Sequence, residues 1–444
     1  MPVLTMRTDR TLVDTARAIA SGTTTSQEVM DAVLAVADAT EPDVHAYVAL
    51  DEGAARAAAR AADATPAPER GPLHGLPIGV KDLIATAGLP TRAGSQSWAR
   101  SYPIDDAAVV RRLRAAGGIV IGKQHTHEFG YGLDEPPTRH PLDPTKYAGG
   151  STIGGAVSVA VGSSLAAIGT DGGGSIRKPA ALHGLVGLKP THGLVDTAGV
   201  VPGTTSNDHV GWITTTVADS ALLLAALADL GPVRTDEGVA GLRVGCAGYF
   251  FRDLEPAVDA AVRRSLDLLA AGGAEVVWLE IPELEQAAEA HGIIGASGAA
   301  AHHRDVPADV RAGYSPGVQG FLAQAGRITK DEVARAHRVR DDVLRAVDAA
   351  LETKRLDVLC SPTLALGAVP LATMRPEVDL PRYCRLTMPF NLTGHPSVSV
   401  PCEHGDKPVG LQVAARHGAD ATTLRVAAAV EAHTVARAAA VARG

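Results

Sequence analysis

Apolar positions keep a helical rhythm over residues 9–62 and then break into short runs. The segment VMDAVLAVADA (29–39) follows Thr25-Ser26-Gln27-Glu28, a capping-box pattern that predicts a helix start. An alanine-rich stretch at 52–63 predicts a second helix, closed by Pro66 and Pro68. From Gly71 onward the apolar residues gather in runs interrupted by glycine and proline: LPIGVKDL (76–83), GGIVIGK (117–123) and SLAAIGT (164–170). A helical stretch, DDAAVVRRLRAAG (105–117), lies between the first two. Later runs repeat the theme: LRVGC at 242–246, a helix at 256–271, AEVVWL at 274–279, DVLC at 357–360 and SVSVP at 397–401. A second capping box, Thr329-Lys330-Asp331-Glu332, opens a charged helix that runs to about residue 352. Strands alternating with helices predict an α/β fold on a twisted sheet, mixed but mostly parallel and covered by helices.

No internal repeat or low-complexity linker cuts the chain, so one large domain over 1–444 is expected. Within it we place N-terminal helices at 9–62, a core at 71–225 and a helical cap or lid within 297–352, centred on the Gly/Pro-containing 305–328 segment. Aromatic residues are only 3% of the chain, so alanine, valine and leucine must fill the core. Acidic residues outnumber basic ones 49 to 41 and no basic run stands out, which argues against nucleic acid as a ligand. The four cysteines form no C-x-x-C pair and read as buried thiols of a reducing compartment. No apolar run reaches the ~18 residues of a membrane span, and MPVLTMRTDRTLV carries no signal-peptide core. A cytoplasmic protein is expected.

Candidate chemistry concentrates at 149–190. Three glycines, Gly172, Gly173 and Gly174, precede Ser175, and without Cβ atoms their N–H groups can approach a ligand and converge on a developing oxyanion. A flexible Gly-rich turn is the alternative. Serine needs a base to become a nucleophile. Lys81 ends an apolar run where burial would lower its pKa; it could equally be a lysine reaching outward from a strand end. Ser151, in Gly149-Gly150-Ser151, could relay a proton between them. Asp171 and Arg177 flank the turn with opposite charge and read as a structural brace. Other motifs carry less. Gln124 replaces the magnesium-holding hydroxyl of a phosphate loop at 117–123. His125-Thr126-His127-Glu128 lacks zinc spacing, His302-His303 reads as an exposed feature, and no G-x-S-x-G elbow surrounds any serine.

These segments together resemble the amidase signature family, the Ser-cisSer-Lys hydrolases. The likeness runs through LHGLPIGVKDLIATAGLPTRAGS (73–95), GGSTIGGA (149–156), GTDGGGSIRKPAALHGLVGLKPTHGLV (169–195), DVLCSPT (357–363) and FNLTGHPSVSVP (390–401), with Ser151 lying 24 positions before Ser175. The resemblance implies the family fold and hydrolysis of a small amide to a carboxylate and ammonia or amine. It makes Ser175 the acylated nucleophile, Ser151 a bridge preceded by a cis peptide bond from Gly150, and Lys81 the base. The N–H groups of Gly172, Gly173, Gly174 and Ser175 would form the oxyanion hole. No metal or cofactor is implied, and the partner would be a second copy in a homodimer.

The chain also departs from the family pattern. Thr152 replaces a second serine and is expected to contact the substrate. Gly172 replaces a larger residue, which would loosen the hole. Trp212 and Thr215 stand where the family carries proline and arginine, and His140 replaces an asparagine. Lys178, three positions after Ser175, resembles the carboxylate-pairing cation of malonamidase-like members; a solvated lysine at a helix start is the alternative. It would favour short anionic amides, malonamate-like or carboxylated urea-type, and GLVDTAGVVPG (193–203) resembles the allophanate and carboxybiuret hydrolase branch. Pocket walls are expected from 125–147 and 300–328. The rival readings are the amidase component of a tRNA-dependent amidotransferase, and a silent binding protein on the same scaffold.

Overall fold

A computed structural model describes residues 11–98, 105–132, 134–403 and 407–441. Among them eleven strands join in one sheet. In chain order these are β1 (Tyr47–Leu50), β2 (Pro77–Lys81), β3 (Ile119–Gln124), β4 (Ala166–Asp171), β5 (Val186–Lys189), β6 (His209–Thr214), β7 (Arg243–Ala247), β8 (Glu275–Leu279), β9 (Val358–Pro362), β10 (Ser397–Glu403) and β11 (Val409–Ala415). Their order across the sheet is β1-β3-β2-β4-β6-β5-β10-β11-β9-β7-β8. Parallel pairing, the expected rule, holds in two blocks, β3-β2-β4 and β8-β7-β9. There helical crossovers return the chain: α4 (Ala108–Ala115) between β2 and β3, α5 (Ile153–Val161) between β3 and β4, and α8 (Pro256–Ala271) between β7 and β8. The stretch from β4 through β9 is antiparallel instead. No helical crossover returns β10 to β11, so the two pair as an antiparallel ribbon.

The N-terminal helices are α1 (Leu12–Ser21), α2 (Ser26–Val44) and α3 (Glu52–Ala64), and β1 interrupts the expected helical region. Residues 9 and 10 of that region lie outside the described residues. Strands of four residues, such as β1 and β5, hold too few positions for a period to show, and neither is predicted from sequence. Both predicted capping boxes form: Thr25 accepts from Glu28 N–H while Glu28 accepts from Thr25 N–H, and Thr329 and Glu332 do the same.

Valine, leucine and alanine do fill the core. On one side α7 (Val217–Leu227), α8 and α15 (Asp420–Val441) bury residues such as Leu223, Val262 and Val426 against Val398, Leu411 and Val413 of the sheet. A second cluster joins α9 (Ala287–His302) to α12 (Lys330–Thr353) through Ala290, Ile294, Val343 and Val347. α12 therefore belongs to the body of the protein. Of the expected cap over 297–352, the part lying outside that cluster is α10 (Ala308–Arg311) and α11 (Pro316–Ala325), where Tyr314 and Val318 pack on Leu83, Ala93 and Phe129. His303, expected to be exposed, is buried and bonded to the Tyr131 and Tyr314 hydroxyls. Nothing in the local sequence signalled those two partners. No helix among the described residues is long and apolar enough to cross a membrane.

Thr25→Ala removes one reciprocal cap and should cost about 1 kcal/mol of stability, read as a lower urea midpoint with an unchanged m-value.

Candidate active site

Lys81 ends β2, a strand buried at every position between β3 and β4. Its Nζ lies 2.8 Å from Ser151 Oγ, 2.7 Å from Thr170 Oγ1 and 3.4 Å from Thr170 O. Burial lowers its pKa to about 7; Asp171 and Asp208 push it back up, and Lys178 adds to the lowering. A neutral amine has two N–H bonds and one lone pair. If both N–H bonds go to Thr170, the lone pair is left facing the Ser151 hydroxyl. No local signal gave Thr170 a role, because the contact crosses two neighbouring strands.

Ser151 follows a cis peptide bond from Gly150. Thr152 N–H donates to Ser175 O at 3.1 Å and ties the two glycine-rich segments together. Ser175 is 8% exposed, and its Oγ has no hydrogen bond among the described residues. It lines the same cavity as Ser151. The Lys81–Ser151 link is therefore closed, while the Ser175 hydroxyl stands open to a ligand.

The turn between β4 and α6 (Arg177–Leu182) is held almost entirely from outside. Four successive carbonyls accept hydrogen bonds: Asp171 O from Asn391 Nδ2 (2.8 Å), Gly172 O from His291 Nε2 (2.5 Å), Gly173 O from Thr387 Oγ1 (2.9 Å) and Gly174 O from Lys178 N (2.8 Å). In a trans peptide the N–H points opposite the preceding carbonyl. The N–H groups of Gly172, Gly173 and Ser175 are thereby turned away from these partners, and none has an acceptor among the described residues. Gly174 differs, and the four-donor expectation needs correcting. Its N–H donates to Asp171 Oδ1 at 2.7 Å, with its φ of +103° supplying the turn. Gly172 does not loosen the hole either. A Cβ there would meet Thr204 Oγ1 at 2.5 Å and Asp208 Oδ1 at 2.7 Å, so those side chains occupy the space.

Asp171 and Arg177 form the buried brace expected of them. Arg177 Nη2 meets Asp171 Oδ1 at 2.9 Å and Nε meets Oδ2 at 3.0 Å. The same guanidinium reaches Gln412 Oε1, Asn391 Oδ1 and Thr387 O. Burial pushes Asp171 upward, but Arg177 and the Asn391 hydrogen bond outweigh it and hold the carboxyl well below its usual range. Asn391, Gln412 and Thr387 were not found by sequence reasoning, since they lie more than two hundred residues from the turn.

The cavity over Ser175 measures about 240 Å³. The 125–147 segment contributes His127, Tyr131, Glu135 and Tyr147, and α11 contributes Phe321. Further walls come from stretches the sequence did not mark: Thr204 and Asp208, His291, Leu380 and Cys384 of α13 (Pro376–Cys384), and Met388. Lys178 lines the cavity too, buried instead of solvated, and its ammonium donates to Cys384 Sγ at 2.9 Å. Thr152 does not reach the cavity. It is fully buried, with Oγ1 on Thr170 O (3.2 Å) and its methyl against Gly169, because it enters α5, whose every residue is buried. The remaining departures are structural: Trp212 Nε1 donates to Ser220 Oγ at 2.8 Å inside the core, and His140 bonds Leu182 O. Among the described residues, metal-ligand spacing occurs at Asp348, His395 and His417, none of which lines this cavity.

A family model described as Amidase matches residues 28–424. The chain is similar to an amidase of Pseudomonas putida, 39% identical over 95% of both chains. It is similar also to a glutamyl-tRNA(Gln) amidotransferase subunit of Roseiflexus sp. (strain RS-1), 35% identical over 95% of this chain and 96% of that one. Among solved structures, a vestigial protein complex said to reveal the evolutionary origins of an s-triazine catabolic enzyme superposes with a TM-score of 0.88. It is 31% identical and covers 96% of this chain and 98% of that one.

Arg177→Met leaves the Asp171 carboxylate buried without its ion partner and should cost about 3–5 kcal/mol. Equilibrium denaturation of both proteins checks this.

Proposed function

The chain belongs to the amidase family, and from that premise we propose that it cleaves the C–N bond of a small amide through an acyl-enzyme on Ser175. Neutral Lys81 accepts the Ser151 proton while Ser151 accepts the Ser175 proton, and Ser175 Oγ adds to the amide carbonyl. The oxyanion receives the free N–H groups of Gly172, Gly173 and Ser175. Collapse breaks the C–N bond, with the Lys81 proton returning through Ser151 to the leaving nitrogen. Water then attacks the ester by the same relay, releasing the carboxylate and regenerating Ser175. No step calls for a metal or cofactor. The observation that carries this reading is the 2.8 Å contact between Lys81 and Ser151, at the edge of a cavity that Ser175 also lines.

The substrate we infer is a short amide bearing a carboxylate, or a carboxylated urea-type compound. A buried ammonium has three N–H donors, and the one bond the Lys178 ammonium shows among the described residues goes to a soft thiol, so an anion would complete its shell. The cavity's small volume suits such a molecule, and the relative tied to s-triazine catabolism is consistent with a nitrogen-rich substrate. Four buried cysteines, none in a disulfide, support a reducing, cytoplasmic setting. The homodimer remains part of this reading. The likeness to amidotransferase subunits favours one second reading, in which the released ammonia passes to a partner enzyme; a stable complex on co-purification would support it.

Ammonia release from malonamate, allophanate and carboxybiuret, set against acetamide, benzamide and glutamine, tests the proposal with Ser175→Ala as control. A Ser175-dependent preference for the anions is expected, with Lys178→Met raising KM for anions about tenfold or more. Activity confined to neutral amides would remove the Lys178 assignment and keep the mechanism. The base must be neutral, and Lys81 is lowered from 10.5 to about 7. Activity should therefore be low below pH 7, fall about tenfold per pH unit there, and rise to a plateau above it.

A further inference from the structure

We propose that His291 is a positioning residue that aims and polarises the Gly173 N–H toward the oxyanion. The inference rests on the Ser175 reading above and extends it to a residue outside both glycine-rich segments.

Three glycines in a row cannot fix a turn by their own side chains, so its peptide planes are set by whatever binds their carbonyls. The plane between Gly172 and Gly173 is bound by His291 Nε2 at 2.5 Å from Gly172 O. A carbonyl oxygen can only accept, so the ring must be the Nε2–H tautomer. The Gly173 N–H lies on the opposite edge of that plane. Drawing electron density to the Gly172 oxygen makes the N–H across the peptide a better donor.

The ring is held firmly enough for the task. His291 lies in the first half of α9, 3% exposed, among Ala287, Ala290 and Ile294, which α9 packs into the second core cluster. Its Cε1 would lie 3.3 Å from a Cβ on Gly173, so the ring sits directly against the turn. Nδ1 is buried and has no partner among the described residues, so nothing rewards the alternative tautomer or a second proton. Burial lowers the ring pKa to about 4, and Lys178 and Arg177 also lower it. The Gly172 carbonyl and Asp171 oppose them. The ring therefore stays a neutral donor at the pH where Lys81 is a working base. The other three carbonyl anchors are two polar side chains that immediately precede or lie in α14 (Met388–Leu392) and one backbone N–H of α6. His291 is the one supplied by α9.

The test uses a fluorophosphonate, whose phosphonyl oxygen occupies the oxyanion position once Ser175 is modified, so no substrate need be known. Second-order labelling rates are compared for the unaltered protein, His291→Phe, His291→Gln and His291→Asn. Glutamine can place an N–H near the Nε2 position, asparagine places one near Nδ1, and phenylalanine keeps the ring without a donor. Labelling should slow about 10- to 100-fold for Phe and Asn and stay within about threefold for Gln. On the preferred amide kcat should fall in parallel, with KM moving less than about threefold. Rates for Phe and Asn within threefold of the unaltered protein, Gln as slow as Phe, or a loss confined to KM would each overturn the proposal. Thermal melts of the four proteins show whether a slow variant is merely unfolded, and the Gln/Asn pair compares like with like. If the unaltered protein fails to label, or labels as well with Ser175→Ala, the nucleophile assignment falls first and this proposal with it.

Discussion

A carboxylate buried away from water must draw all its donors from the protein, and Asp171 does so in a way that shapes everything around it. Its two oxygens take the Arg177 guanidinium, the Gly174, Ile176 and Arg177 N–H groups and the Asn391 amide. These partners come from the turn itself, from α6 and from α14, and Arg177 extends the network to Gln412 on β11. The anion thus sets the end of β4, the start of α6 and the seat of α14 at once. Such an arrangement is costly to bury and costlier to break. Its return is geometric: it fastens the glycine turn, whose Gly172, Gly173 and Ser175 line the cavity.

The same logic governs Lys81. A lysine inside a parallel block of strands loses hydration, and desolvation favours the neutral amine. Asp171 and Asp208 limit how far this goes, so the group stands near neutrality instead of being locked in one state. Lys123 one strand away shows the contrast. Burial lowers it to about 8, but the Asp82 carboxylate at 3.6 Å holds it, and Thr91 and Ile84 O complete its shell. That lysine fastens the loop after β2. Lys81 instead faces the hydroxyls of Ser151 and Thr170.

Around this fixed centre the cavity is assembled from distant segments. α11, α9 and the stretch preceding β10 each contribute one wall, and the last two also hold the turn through His291, Thr387 and Asn391. The sheet-end turn and the buried lysine form the floor of this space, and Lys178, Tyr131 and Phe321 line it above.

By itself the sequence determined the α/β alternation, the helix starts at Thr25 and Thr329, and the pairing of Asp171 with Arg177; it marked Lys81, Ser151 and Ser175 through the segments that resemble the amidase signature family. These were legible because their signals are local: a capping residue with its partner three positions on, apolar runs ended by glycine, an acid and a base six residues apart around one turn. Tertiary structure alone decided the antiparallel middle of the sheet, the seclusion of Thr152, the capture of the Gly174 N–H and the burial of Lys178. It also brought His291, Thr387, Asn391 and Gln412 to the turn from 119 to 235 residues away. Contacts at such separation leave no periodicity or spacing in the chain. They arise only when the sheet has ordered its strands and packed the helices that carry these side chains against the turn.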